Sequence, residues 1–391
     1  MRISRRRFLG GLAAGAAVAG GGLVLGGNTA VGSTFSNGKR AAGLPLKIVN
    51  NSGKFGSDQI WVYIVGNQDG QQVRVTPEGE LKPISMDDNG DDGFTDYAIP
   101  LSGDETTIQL PYMSGRIYTA LGDKLKFKAV EDGDGNAALA YPAAWVESDP
   151  NYDVLHDCAE FTYKEDGMYC NTTMVDMFSV PLSIHLVGAD DQKTGTLKDG
   201  AREELFSKLK GAEGFSDLVV DDKRIIAPGH GMAEGKFSES YFDAYIDEVW
   251  STYESKDLIV TTNAGEFTGR VSGGKFSFTG PGEVSFDKPT TKDVLFCDGA
   301  LAAPNDGITG PVAAILGAAF NRTTLLTESN QPTDDPSGFY QGDTVHEYVK
   351  AVHEATEDGK AYGFAFDDVA GFASYIEDGA PTEITLTLTP F

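Results

Sequence analysis

From residue 44 to about residue 186 the chain advances in short β-type runs, each broken by Gly, Asp, Asn or Pro before it is long enough to be anything but a strand. Residues 46–50, 59–65, 106–110, 116–120 and 124–130 are such runs, closed by residues that favour turns. This part is expected to be an all-β sandwich or barrel. The period then changes. Residues 201–209 place Leu205, Phe206 and Leu209 on one helical face, and residues 238–253 do the same with Phe242, Tyr245, Ile246, Val249 and Trp250. Helical patterns recur at 311–320 and 343–356, while 258–262, 266–271, 275–279 and 284–286 read as strands. The fold is therefore mainly β with α/β: a β domain at 44–186 and a mixed α/β domain at 187–382. In the last residues Ile384, Leu386 and Leu388 alternate with threonines, a terminal strand at 383–391 able to return to the first sheet.

The N-terminal residues read as a sorting address. Ser4-Arg5-Arg6-Arg7-Phe8-Leu9 precedes an uncharged Gly/Ala/Val/Leu run, a twin-arginine export pattern. A spanning helix needs ~20 apolar residues, so an uncleaved anchor is the alternative, but the glycine content argues against it. No cysteine follows the run to take a lipid, and Ala30-Val31-Gly32 is the nearest small-residue cleavage pattern. The leader is read as residues 1–32 and a linker as 33–43. The mature chain is expected outside the cell, with no membrane partner beyond the export signal, and as a monomer.

Residues 1–40 hold six of the 31 basic side chains and no acidic ones, which leaves 25 against 58 and a net charge of −33. Such a field repels a phosphate backbone, so nucleic acid is excluded as a partner and neutral polymers fit. It also suits a high-salt habitat, where screening relieves self-repulsion. Cys158, Cys170 and Cys297 allow at most one disulfide.

Several motifs are incomplete. Gly269 to Lys275 begins like a phosphate loop, but Phe276 stands where the metal-binding hydroxyl belongs, and a hairpin turn is the better reading. Asp132, Asp134 and Asn136 have calcium-loop spacing, yet Ala137 replaces the required glycine. His346 and His353 are too far apart for a zinc pair on one helix, and there is no G-x-S-x-G. No metal and no cofactor is expected.

The segment from Cys158 to Phe178 carries the chemistry. It reads as a hairpin about Glu165-Asp166-Gly167. Pairing centred on Asp166 sets Glu160 opposite Thr172, and alternation then puts Thr172, Met174 and Asp176 on the face of Glu160. Asp176 would lie about 13 Å further along a straight strand, at ~3.4 Å per residue, so the strand must bend for the two acids to work together. One carboxyl that protonates a leaving oxygen and one that activates water are what an inverting glycosidase needs, ~6.5–9.5 Å apart. Phe161, Tyr163, Tyr169 and Phe178 add aromatic surface on which sugar rings stack. Two acids among 58 on an acidic surface is the alternative.

The stretches Glu160-Phe-Thr-Tyr163 and Tyr169-Cys-Asn-Thr-Thr-Met-Val-Asp176-Met-Phe178 with Pro181-Leu182 resemble the signature of glycoside hydrolase family 64, the laminaripentaose-producing β-1,3-glucanases. In the same order come Ile48-Val-Asn-Asn-Ser-Gly53, Ser114-Gly-Arg-Ile-Tyr118 and Gly122-Asp-Lys-Leu-Lys-Phe127. Further on stand Gly310-Pro311, Ala319-Phe-Asn-Arg322, His353-Glu354 and Tyr362-Gly-Phe-Ala-Phe-Asp-Asp-Val369. The resemblance implies a thaumatin-like fold, in which a β-barrel or sandwich domain and an α/β domain flank a wide groove, and an endo-acting, inverting β-1,3-glucanase with β-1,3-glucan as its partner. It makes Glu160 the general acid and Asp176 the general base. Thr162 follows the acid as the family's groove-lining threonine does, and Tyr169 stands at a groove aromatic, whereas Lys164 replaces a smaller polar residue. Tyr163, Asn171, Thr172, Asp367 and Asp368 complete the expected substrate-binding set, the last two on the far groove wall or in an acidic turn beside a helix. A non-catalytic thaumatin-like module that binds glucan or a protein would use the same groove, and a hydrolase of another wall polysaccharide would use the same acids.

Overall fold

A computed structural model describes residues 43–391, together with the two-residue strand Leu23–Val24. The leader and linker read from the sequence otherwise lie outside the described residues. Short amphipathic strands leave one apolar face each, and two sheets bury those faces against one another. The strands of this sandwich are β1 (Leu44–Asn50), β2 (Ile60–Gln68), β3 (Gln71–Val75), β4 (Leu81–Pro83), β5 (Glu105–Leu110), β6 (Met113–Leu121), β7 (Leu155–Lys164) and β8 (Gly167–Thr172). They continue with β9 (Leu182–Val187), β10 (Asp191–Thr194), β11 (Tyr375–Asp378) and β12 (Glu383–Leu388). The larger sheet runs β11-β8-β7-β6-β2-β3-β4, and the smaller runs β10-β9-β12-β1-β5. Within both sheets the pairs are antiparallel except β1 with β12, which are parallel.

Alternation is clean where the sheets face each other. Leu44, Leu46 and Ile48 of β1, Ala159 and Phe161 of β7, and Ile384, Leu386 and Leu388 of β12 all point inward and are buried. Each such aliphatic or aromatic side chain contributes ~1.5–3 kcal/mol when fully buried. The terminal strand does join the first sheets, pairing with both β1 and β9. The sandwich also takes β10 and β11, so it reaches past the 186 boundary read from the sequence and resumes before 383.

The second lobe has its own core. Its helices are α1 (Ala201–Gly211), α2 (Pro228–Ala233), α3 (Asp243–Tyr253), α4 (Thr291–Phe296), α5 (Thr309–Asn321) and α6 (Glu347–Ala355). A meander of Leu258–Thr262, Gly265–Ser272, Lys275–Thr279 and Glu283–Phe286 carries Asn330–Gln331 in parallel at its edge. Gly273 and Gly274, both at positive φ, form the tight turn between two of these strands, so the phosphate-loop fragment is a hairpin. The six-residue helices α2 and α4 were not legible, because so short a run shows no helical period. Among the described residues no helix is long and apolar enough to cross a membrane, no cluster of His, Cys, Asp and Glu is arranged to hold a metal, and all three cysteines are free and buried.

Candidate active site

β7 and β8 form the expected hairpin with a tighter turn than the sequence suggested. Lys164 pairs with Gly167, which leaves only Glu165 and Asp166 as the turn, and Gly167 takes φ +143°, open to glycine and strained for other residues. The register moves by one residue. Asn171, not Thr172, stands opposite Glu160, and Thr172 pairs with Ala159 on the core side. Glu160, Thr162, Tyr169 and Asn171 thus share the outer face of the large sheet. On β6, Ser114, Arg116 and Tyr118 face the same way, paired with Thr162, Glu160 and Cys158. One end of this face is closed by an aromatic cluster of Tyr63, Tyr118, Phe127 and Tyr141. From Arg116 onward it is partly exposed at Ser114, Arg116 and Tyr169, while Glu160, Thr162 and Asn171 stay buried.

Arg116 organises this part of the face. Its Nε donates to Oε1 of Glu160 at 3.1 Å, its Nη2 lies 2.9 Å from the same oxygen, and its Nη1 donates to Oδ2 of Asp176 at 3.4 Å. The other oxygen of Glu160 accepts from Asn171 Nδ2 at 3.4 Å. The two acids therefore flank one planar guanidinium. Asp176 arrives there because β8 stops at Thr172 and the chain bends across to the second lobe, where Met177–Phe178 pairs with Ile225 and Ile226 and the Asp176 carbonyl accepts from Ala227 N. The bend anticipated for the strand is this crossing, and face alternation does not govern Asp176.

His230 on α2 completes the site. Its Nε2 lies 2.8 Å from Asp176 Oδ1 and, since a carboxylate only accepts, it donates. The ring stacks on Trp145 at 4.3 Å and meets the edge of Phe296 at 5.5 Å. Burial by itself would raise the Asp176 carboxyl, but the hydrogen bond from His230 and the charge of Arg116 outweigh it and hold the group at about 2. A cavity of about 20 Å³ borders Arg116, Trp145, Thr173 and Asp176, room for about one water. The arrangement is a fixed, ionised carboxylate beside a second carboxyl on a partly exposed sheet face, which suits proton transfer at an uncharged polymer.

The sequence profile of the β-1,3-glucanases of glycoside hydrolase family 64 matches residues 42–388. The chain belongs to family 64. A glucan endo-1,3-β-glucosidase of Cellulosimicrobium cellulans is 37% identical over 371 residues, which is 90% of this chain and 66% of that protein, so the chain spans just under two thirds of the relative's length. A laminaripentaose-producing β-1,3-glucanase solved with laminaritetraose superposes with a TM-score of 0.81 at 37% identity, over 90% of this chain and 99% of that one. A β-1,3-glucanase domain of Clostridium beijerinckii superposes with a TM-score of 0.79 at 28% identity, over 90% and 98%.

The remaining expected site residues of this family 64 chain fall into two groups. Thr162 and Tyr169 sit on the face of Glu160, Thr162 donating to Ser114 Oγ at 2.7 Å and Tyr169 lying under Lys164 Nζ at 5.2 Å. Asn171 touches Glu160 directly. Tyr163 and Thr172 point the other way: Tyr163 packs on Tyr112 at 4.6 Å, and Thr172 donates to Ser374 Oγ at 2.9 Å. Asp367 is fully buried between Arg322 and His353, so it does not line a wall. Asp368 borders a cleft of about 370 Å³ with Lys360 and Tyr375. Arg116 and His230 were missed. The signals for the first were an arginine inside a β-type run and its place in the family-like stretch Ser114-Gly-Arg-Ile-Tyr118, and a histidine in Pro228-Gly-His230-Gly231 was a weak one for the second.

Proposed function

We propose that this chain is an exported endo-β-1,3-glucanase that inverts the anomeric carbon, with Glu160 as general acid and Asp176 as general base. The observation that carries the reading is the Arg116 bridge, which sets the two acids on either side of one guanidinium at the partly exposed end of the sheet face. Asp176, kept ionised by His230 and Arg116, takes a proton from water as that water attacks the anomeric carbon. The cavity beside it is wide enough to hold that water. Glu160 must exchange its contact with Arg116 for a proton before it can act, and it then gives that proton to the departing glycosidic oxygen. Thr162, Tyr169 and Asn171 lie where the glucan would run, in the groove of a thaumatin-like arrangement, and the products would be oligosaccharides such as laminaripentaose. Support for the substrate comes from family membership and from the solved relative that holds laminaritetraose. Export by the twin-arginine route rests on residues 4–9 and the apolar run after them.

The test is a product profile on linear β-1,3-glucan, β-1,4-glucan and mixed-linkage glucan, with Glu160→Gln and Asp176→Asn alongside. Oligosaccharides from β-1,3-glucan alone, and loss of nearly all turnover in each variant with glucan binding retained, is the expected result. Turnover near the wild-type level in either variant removes that residue from the mechanism, and binding without hydrolysis by the wild type makes the chain a glucan-binding module.

A further inference from the structure

The buried ion cluster behind the site bears directly on it. His353, on α6, has Nδ1 2.8 Å from the Gly359 carbonyl and Nε2 2.8 Å from Asp367 Oδ2. A carbonyl only accepts. Asp367 also takes hydrogen bonds from Arg322 Nη2 at 3.0 Å and from Gly363 N at 2.9 Å, so it too is surrounded by donors and is ionised. Both ring nitrogens of His353 must then donate, which only the imidazolium can do. Burial opposes that charge, but Asp367 outweighs it and raises His353 above the ordinary histidine value.

The cluster holds one loop. Residues 359–369 supply the Gly359 carbonyl, the Gly363 amide, Asp367 and the Val369 carbonyl, which accepts from Arg322 Nη1 at 2.9 Å. Between them the Tyr362 carbonyl accepts from Met174 N at 2.8 Å, two residues before Asp176. The Met174 carbonyl accepts in turn from Tyr348 OH at 2.6 Å, on the helix that carries His353. The segment leading into Asp176 is thus fixed through both backbone groups of Met174 by α6 and by the loop that His353 ties down.

We propose that His353, as an imidazolium, is a positioning residue that clamps the 359–369 loop and through it Met174 and Asp176, so that turnover falls when His353 loses its proton. The inference rests on Asp176 acting in catalysis as described above. Loss of the proton leaves one ring nitrogen's lone pair facing an oxygen, an unmet buried contact. The other groups around the cluster keep their charge state through neutral and mildly alkaline pH. Burial holds Tyr340, whose ring is 6.4 Å from His353, and Cys297 protonated well beyond that range, and lowers His346 to about 3. Despite burial, Asp367 is lowered by His353 and Arg322 and stays anionic, while Glu354, the next residue on α6, pairs with Lys208 at the surface. Because the folded value is raised, the clamp is complete below the ordinary histidine value of ~6.5 and is lost as pH rises through the folded value.

The experiment compares the wild type and His353→Gln on soluble β-1,3-glucan from pH 6 to pH 9.5, reading kcat and KM separately. Their kcat ratio cancels any pH dependence that both proteins share. It should be about tenfold at pH 6, as for one lost charge-assisted hydrogen bond, and shrink toward one at pH 9.5, with KM changed less than twofold. A ratio that stays constant with pH means a merely structural histidine and overturns the proposal. A nitrogen-15 titration of His353 in the wild type covers a variant that does not fold: two protonated ring nitrogens at pH 6 support the clamp, and a single neutral tautomer there refutes it. That spectrum is independent of catalysis, so full turnover in Asp176→Asn would defeat the catalytic reading without altering it.

Discussion

His230 Nε2 donates to Asp176 Oδ1 at 2.8 Å, while the His230 ring lies flat on Trp145. The acid comes from the segment that leaves the sandwich, and the histidine from a six-residue helix of the other lobe. The contact therefore fixes the lobes to one another at the carboxylate proposed to activate water. His230→Phe keeps the stacking and removes the donor. Asp176 then rises from about 2 toward the ordinary carboxylate range, and because a base works only when ionised, the acid limb of kcat/KM should move to higher pH. At about pH 3 the loss should be severalfold, and it should vanish by about pH 6, where a carboxyl in the ordinary range of ~3.9 is ionised in both proteins. An acid limb that stays where the wild type has it would show that the contact does not tune the base.

Arg116 sets three nitrogens against two acidic side chains, donating hydrogen bonds from Nε and Nη1 and holding Nη2 at ion-pair distance. Arg116→Met keeps much of the volume, removes all three and leaves two acids facing each other with no cation between them. We expect kcat to fall about a hundredfold, the usual consequence of displacing reacting groups by about 1 Å. Lysine has one point charge in place of the fork and should recover only part of the loss. Steady-state kinetics on soluble β-1,3-glucan, with circular dichroism to check folding, settles both variants.

The hairpin was legible because its residues alternate and because Glu165-Asp166-Gly167 can only be a turn. Its register was not. The choice between a two-residue and a three-residue turn rests on a single backbone angle at Gly167, and that choice moved Asn171 into the place expected for Thr172. Asp176 was found as a residue and misplaced as geometry, because a bend into another lobe is a tertiary event that strand alternation does not encode. Arg116 and His230 lie 60 and 54 residues from Asp176 in the chain, so no local pattern joins them to it. Asp367 shows the converse. An acid directly after the aromatic run from Tyr362 to Phe366 marks a buried ion pair, and its partners Arg322 and His353 are distant in sequence.

Salt should stabilise the folded chain. Exposed pairs such as Lys124–Asp96, Lys164–Asp166 and Lys210–Asp222 are worth only ~0–1 kcal/mol each and weaken with screening. Against them stands a net −33 beyond residue 40, whose mutual repulsion is screened as the Debye length contracts from ~10 Å at 0.1 M to ~3 Å at 1 M. With so large an excess of one sign, relief of the repulsion outweighs the loss of a few exposed pairs. Tm should therefore rise as sodium chloride increases from about 0.1 M to about 1 M. A flat or falling Tm counts against adaptation to high salt.

The stereochemical outcome follows from the width of the gap at Arg116. A retaining enzyme holds its two carboxyls ~5–5.5 Å apart so that one attacks the sugar, whereas an inverting enzyme leaves ~6.5–9.5 Å for a water. Here a guanidinium fits between Glu160 and Asp176, with hydrogen bonds of 3.1 and 3.4 Å to its two sides, and a water-sized cavity borders Asp176. Direct attack by Asp176 would have to cross that gap. Water held by Asp176 needs to cross only part of it, and a single displacement turns the β linkage into an α-configured reducing end. Proton NMR of a fresh digest, read before mutarotation, should show the α anomer first. Initial release of the β anomer would make Asp176 a nucleophile and would require the two acids to close on each other once Arg116 has moved aside for substrate.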